Sequence, residues 1–207
     1  MDRYEIKKIL KTRNNMIEMC ERIKDDMSIA IESDEIISIY DNAVSGLGES
    51  IDKIDAILLN YCESSPVGIW LLKIKGMTID IAAGLLAYYD VRDKECAAQF
   101  IQYAGVSNIN QAHNDEVRKI LDRLNDNFQK DLKSFYASLR WAKYNEWMQS
   151  GEENKVKAHI KADRYVLKVF LSHLFEEMFR EEHNGMLPKR NSNSNSIIIE
   201  PEVPYTK

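Results

Sequence analysis

Little in this 207-residue chain punctuates it: it holds only 8 glycines and 4 prolines. Sparse turn residues disfavour a chain of many short strands and favour long helices. Cysteine is scarce too. Cys20, Cys62 and Cys96 are odd in number and far apart, with no CxxC pair, which excludes a disulfide framework and a zinc site. They read as reduced thiols. No stretch reaches the roughly 20 unbroken apolar residues of a membrane span, and the opening MDRYEIKKILKTRNN has no apolar core of a secretory signal. The expectation is a cytoplasmic protein without membrane contact. His113, His159, His173 and His183 show no HxxxH or HExxH spacing, so no metal site is expected. There is no P-loop, GxGxxG, GxSxG or paired-carboxylate arrangement, and the sequence implies no cofactor and no catalytic residue.

The chain does have helical periodicity. Apolar residues make up 44% and charged residues 29%, a globular balance. Ile6, Ile9, Leu10, Met16, Ile17, Cys20, Ile23 and Met27 recur at spacings of three and four. Ser33-Asp34 suits a helix start, with Ile36, Ile37, Ile39 and Tyr40 following. Gly46 and Gly48 interrupt that pattern and Ile51, Ile54, Ile57, Leu58 and Tyr61 resume it. Residues 1–62 therefore read as a helical N-terminal region, either an antiparallel hairpin or a bent helix. Ser64-Ser65-Pro66 marks a boundary, since proline suits a first helical turn.

Beyond it the spacing predicts helices over 67–74, 79–89 and 93–103, the last stopped by Gly105. Another begins after Asn114 with Val117, Ile120, Leu121, Leu124 and Phe128. Phe135, Tyr136, Leu139, Trp141, Tyr144 and Met148 continue it or begin the next. A long helix spans 155–183. Residues 188–196 are a low-complexity linker, and IIIEPEVPYTK is an extended tail. The fold class is all-α: a helical N-terminal region (1–62), a second region (66–185) with a central helical hairpin and a long C-terminal helix, and a linker with tail (186–207).

Two features carry a functional reading. The first is the turn Lys73–Thr78 between two helices, with the small residues Ala82-Ala83-Gly84 behind it. Backbone N–H groups of such a turn and the next helix N-terminus receive a phosphate, and Lys73 and Lys75 supply countercharge. An ordinary αα-hairpin explains the same spacing. The second is Lys157, Lys161, Arg164 and Lys168, spaced four, three and four along one helix face. These bases crowd the helix N-terminal half, while Glu176, Glu177, Glu181 and Glu182 crowd the other, against the macrodipole. His173, Trp141, Tyr144 and Trp147 read as core residues first.

Ile69-Trp70-Leu71-Leu72-Lys73-Ile74-Lys75-Gly76, then Ala82-Ala83-Gly84-Leu85-Leu86-Ala87, then Phe100 through Tyr103-Ala104-Gly105 resemble one family. Ser134-Phe135-Tyr136 and Phe170-Leu171-Ser172-His173 follow in its order. The chain is similar to the helix-hairpin-helix half of insertion-sequence transposases that carry an Asp-Glu-Asp-Asp nuclease domain. It resembles more closely the stand-alone transposase-like proteins of phages and integrative elements. The match spans about residues 60 to 185 and implies a helix-hairpin-helix at Lys73, Lys75, Gly76, Met77 and Thr78.

This chain departs from the family in five ways. Thr78 replaces the second turn glycine, and Asp80 sets a carboxylate in the next helix's first turn. The loop from Ser107 to His113 has no Lys or Arg. Ser107 is the nearest counterpart of the family's nucleophile, with nothing beside it to activate a hydroxyl. The nuclease domain is missing. The expectation is a non-catalytic protein of a phage or mobile element. It would contact DNA or RNA backbone weakly through the Lys73–Thr78 turn and the Lys157, Lys161, Arg164 and Lys168 stripe. The alternative is a protein–protein effector on the same scaffold, such as an inhibitor of a host defence nuclease. The net charge of −5 favours the alternative. Neither reading indicates an oligomeric state.

Overall fold

The computed structural model describes residues 1–30, 34–92, 94–106, 112–130, 134–151 and 154–186. Among them are eight helices and no strand: α1 (Arg3–Ala30), α2 (Asp34–Glu63), α3 (Pro66–Leu72), α4 (Ile79–Tyr88), α5 (Ala97–Tyr103), α6 (Asp115–Lys130), α7 (Phe135–Gln149) and α8 (Lys155–Glu182). The fold is all-α. Ser33, Ser107 with its loop, the linker and the tail lie outside the described residues.

Helix starts follow local side-chain chemistry. Asp2 and Glu5 exchange hydrogen bonds, each backbone N–H donating to the other's carboxylate, which forms a capping box for α1. Ser65, Asn114, Ser134 and Asn154 each accept from the backbone N–H three residues on, opening α3, α6, α7 and α8. Gly105 takes φ +66 where the chain leaves α5, the left-handed stop its sequence position predicts.

Two details differ from the periodicity reading. Helix α2 runs unbroken through Gly46 and Gly48. Each glycine costs about 1 kcal/mol against alanine, which a 30-residue helix held at one end by tertiary packing absorbs. Helix α5 begins at Ala97, and not near 93.

The core forms around α4, whose residues Asp80–Ala87 are all buried. A helix apolar on every side needs neighbours all round; α1, α2, α3 and α6 supply them. Helix α8 is the second organiser, packing on α7, α5, α3 and α6. Phe170 on α8 meets Phe128, Tyr136 and Trp70, and Phe100 of α5 meets Phe175 of α8. Ile6, Ile9 and Leu10 of α1 and Ile54, Leu58, Tyr61 and Cys62 of α2 join this same core, while none of the described residues between 14 and 53 does. The proximal end of the α1–α2 hairpin is thus part of the body, and the distal end is an arm about 25 Å long.

Trp141, Tyr144 and Trp147 lie outside that core, contrary to expectation. Trp141 is 42% exposed and edge-on to Tyr144, and Tyr144 stacks on His159 at 4.1 Å. Among the described residues no third helix covers them at the far end of the α7–α8 pair.

Candidate nucleic-acid interface

The turn joining α3 to α4 is built by backbone bonds: Ile74 N–H donates to Leu71 O and Met77 N–H to Ile74 O. Gly76 sits at φ +88, a conformation that favours glycine. Its carbonyl accepts from Asn127 Nδ2 at 3.1 Å, and a Cβ there would meet Phe128 and Asn127. One side of the turn is therefore seated on the end of α6. Lys73, Lys75 and Thr78 are exposed, and Gly76 and Met77 are half-buried.

The start of α4 is already occupied from within. Thr78 makes no capping bond with its side chain; its hydroxyl donates to Asp80 Oδ1 at 2.6 Å. Asp80 is 5% exposed, and its Oδ2 meets Arg123 Nη1 at 2.7 Å and Arg13 Nη1 at 3.7 Å. Arg13 also pairs with Asp55 at 2.5 Å. Burial alone would push the Asp80 carboxyl up. The Thr78 hydrogen bond and the charges of Arg123 and Arg13 outweigh burial and hold it below the usual carboxylate range. This network of two acids and two bases ties α1, α2, α4 and α6 together and sets an anion at the N-terminus of α4. The sequence places Asp80 in the first turn of α4, and the structure adds that this carboxylate is buried and compensated by arginines.

The second basic group stands elsewhere. Lys157 is exposed, and Lys161, Arg164 and Lys168 are half-exposed. Trp70 stacks on Phe170, and Val67 N–H donates to Glu181 at 3.3 Å, so α3 runs along the Phe170–Glu181 side of α8. Lys168 and Phe170 are two residues apart, about 200° around the helix. The structure keeps the Lys73–Thr78 group together and the stripe together, and it does not bring the two onto one face of α8.

Helix α7 covers another side of α8. Arg140, 5% exposed, pairs with Asp163 at 2.5 Å and reaches His159 Nδ1 at 3.2 Å. His173 is buried and bonded to the Tyr136 hydroxyl at 2.9 Å, a hydrogen-bonded core histidine as expected. Among the described residues no three His, Cys, Asp or Glu side chains come together as metal ligands. No described helix is long and apolar enough to cross a membrane. The Arg13–Asp55–Asp80–Arg123 network escapes sequence reasoning, because partners 42 and 43 residues apart show no spacing signal.

Fold and site together define an all-helical scaffold with two separate basic surfaces and a projecting hairpin whose residues 14–52 carry ten acidic and two basic side chains, a local −8. No protein-family model matches the chain, and comparison with curated proteins finds no match.

Proposed function

We propose that this chain is a non-catalytic protein-binding effector built on a degenerate, transposase-like helix-hairpin-helix scaffold. The observation that carries this reading is Asp80. Phosphate recognition at a hairpin uses the free positive end of the second helix, and here a buried carboxylate with its own arginine partners fills that end. The separation of the two basic groups supports it further, since a duplex backbone rewards one continuous positive surface. So does the charge of −5. A nuclease of host defence, itself a nucleic-acid-binding and hence basic protein, is one partner the acidic hairpin suits.

One observation favours a second reading, weak binding to DNA or RNA backbone. Lys157, Lys161, Arg164 and Lys168 form one exposed or half-exposed stripe, apart from the exposed lysines Lys73 and Lys75. None is arranged for base-edge readout, so such binding would be sequence-independent and salt-sensitive. Duplex retention at low salt separates the two. The protein-binding reading expects the wild type and Lys157→Gln/Lys161→Gln/Lys168→Gln to retain DNA equally poorly. Retention that the triple variant loses on all sequences alike, with a flatter salt dependence, would put the nucleic-acid reading first.

A further inference from the structure

Between the end of α4 and α5 the chain forms a cleft of about 210 Å³. Its walls are Tyr88, Tyr89, Phe100 and Tyr103, and Lys94, Gln99 and Asp90 supply the polar atoms. Tyr89 and Phe100 are buried and stacked at 4.4 Å, with Tyr103 edge-on to Tyr89 at 5.6 Å. Tyr88 and Tyr103 are only half-buried, so aromatic surface faces the opening.

The polar groups of this cleft have donors to offer. Gln99 Oε1 already accepts from the Glu95 N–H at 2.8 Å, and the Tyr103 hydroxyl oxygen accepts from Asn114 Nδ2 at 2.8 Å. The Gln99 amide hydrogens and the Tyr103 hydroxyl hydrogen remain. Charge leans positive. Lys94 lines the cleft, and Lys7 Nζ stands 4.6 Å from the centre of the Tyr88 ring. Asp90 is held by both Arg3 and Arg92, and Glu116, which also faces Tyr88, pairs with Lys119 at 2.9 Å.

An aromatic groove with spare donors and a basic rim fits an acidic, proline-rich strand. Such segments favour polyproline II, whose carbonyls have no internal partner and whose proline rings pack on aromatic faces. Prolines also bring no N–H that would need an acceptor. This chain carries one such segment, Glu200-Pro201-Glu202-Val203-Pro204-Tyr205. Its Pro-x-x-Pro spacing sets both prolines on one face at three residues per turn, with two acids beside them.

That segment lies outside the described residues, and its tether reaches the cleft. Phe100 meets Phe175 at 5.2 Å, seven residues before the end of α8, so the cleft lies beside the last turns of that helix. Pro201 is fifteen residues beyond Met186, a reach of up to about 50 Å. We propose that Pro201–Pro204 docks in the Tyr88–Tyr103 cleft of the same molecule. Tethering raises its effective concentration there to about the millimolar range, so an individually weak contact is enough.

Amide NMR spectra of the full chain test this. Pro201→Ala/Pro204→Ala should shift the signals of Tyr88, Lys94, Gln99 and Tyr103 and leave those of α2 and α7 in place. A free peptide of residues 197–207 should reverse those shifts in the double variant. It should bind the wild type at least about tenfold more weakly, because the chain's own tail competes. Adding Lys94→Glu to the double variant should weaken the peptide about twofold to fivefold through the lost charge attraction. Cleft signals that ignore the proline substitutions overturn the proposal. So do shifts that vanish on dilution from about 500 to about 50 µM, the mark of a tail supplied by a second copy. A peptide held equally tightly with Lys94→Glu overturns it too, since it would sit elsewhere.

Discussion

Asp80 carries more of the structure than its place in a surface turn suggests. Removing its charge leaves Arg13 and Arg123 facing each other without the carboxylate between them. Asp80→Asn should therefore destabilise the fold by about 2 kcal/mol, reduced from the cost of a fully buried pair because Arg123 is partly exposed. Urea denaturation measures it. The pH dependence has a definite sign. The folded Asp80 carboxyl lies below its ordinary value of about 3.9, so its contribution is complete above that value. The contribution is lost as pH falls through the lower folded value. Melting temperature should drop below about pH 4, and more shallowly in Asp80→Asn than in the wild type. The cysteines divide in the same residue-by-residue way. Burial pushes the Cys62 thiol up to about 12, and its Sγ–H points at Ile79 O at 3.9 Å. Cys20 is buried as well, whereas Cys96 at the head of α5 is half-exposed. Alkylation of the native protein should reach Cys96 first, and peptide mapping would report a different order if the packing were otherwise.

At the scale of elements, glycine marks where helices meet and where they do not. A Cβ on Gly68 would stand 1.9 Å from the Cys62 carbonyl oxygen, a backbone atom. Gly68→Ala must push α3 off the end of α2 and should cost about 3 kcal/mol or more. A Cβ on Gly84 would stand 2.7 Å from Ile120 Cδ1, the tip of a side chain that can turn away. Gly84→Ala should cost about 1 kcal/mol. Gly48 has open space around it and an ordinary helical φ. Gly48→Ala should raise stability by about 1 kcal/mol through helix propensity. Equilibrium denaturation of the three variants orders them, and a Gly68→Ala as mild as Gly84→Ala would refute the close α2–α3 contact.

At the scale of the whole molecule, the turn at Ser64-Ser65-Pro66 divides the chain but not the core. Ile6, Leu10, Leu58 and Cys62 from the first region close over α4 from the second. A fragment beginning at Pro66 would expose the α1 and α2 faces of α4 to water. It should lose cooperative unfolding, and a sharp thermal transition in that fragment would contradict this picture. The charge divides differently from the core. The distal arm holds −8 while the whole chain holds −5, so the remainder is net positive. The protein is polarised between an acidic hairpin tip and a mildly basic body, an arrangement suited to orienting a charged partner before contact.

Helix type and position were legible from sequence because both depend on near neighbours. Three-and-four periodicity, the Ser65-Pro66 start and the Gly105 stop all act within a few residues. The burial of His173 followed from its place beside Phe170 and Leu174 on a packed helix. Only the tertiary structure decided what occupies the N-terminus of α4. Arg13 and Arg123 reach Asp80 from helices 67 residues before and 43 residues after it in the chain, and charge type alone does not encode that meeting. Tertiary packing likewise decided that the turn lysines and the α8 stripe face apart. A helical wheel assigns each residue an angle on its own helix but not the side on which the next helix packs, and here Trp70 stacking on Phe170 settles that side. The continuity of α2 through Gly46 and Gly48 belongs to the same class. Local propensity disfavours it, and the anchoring of α2 on α4 at one end carries the helix through.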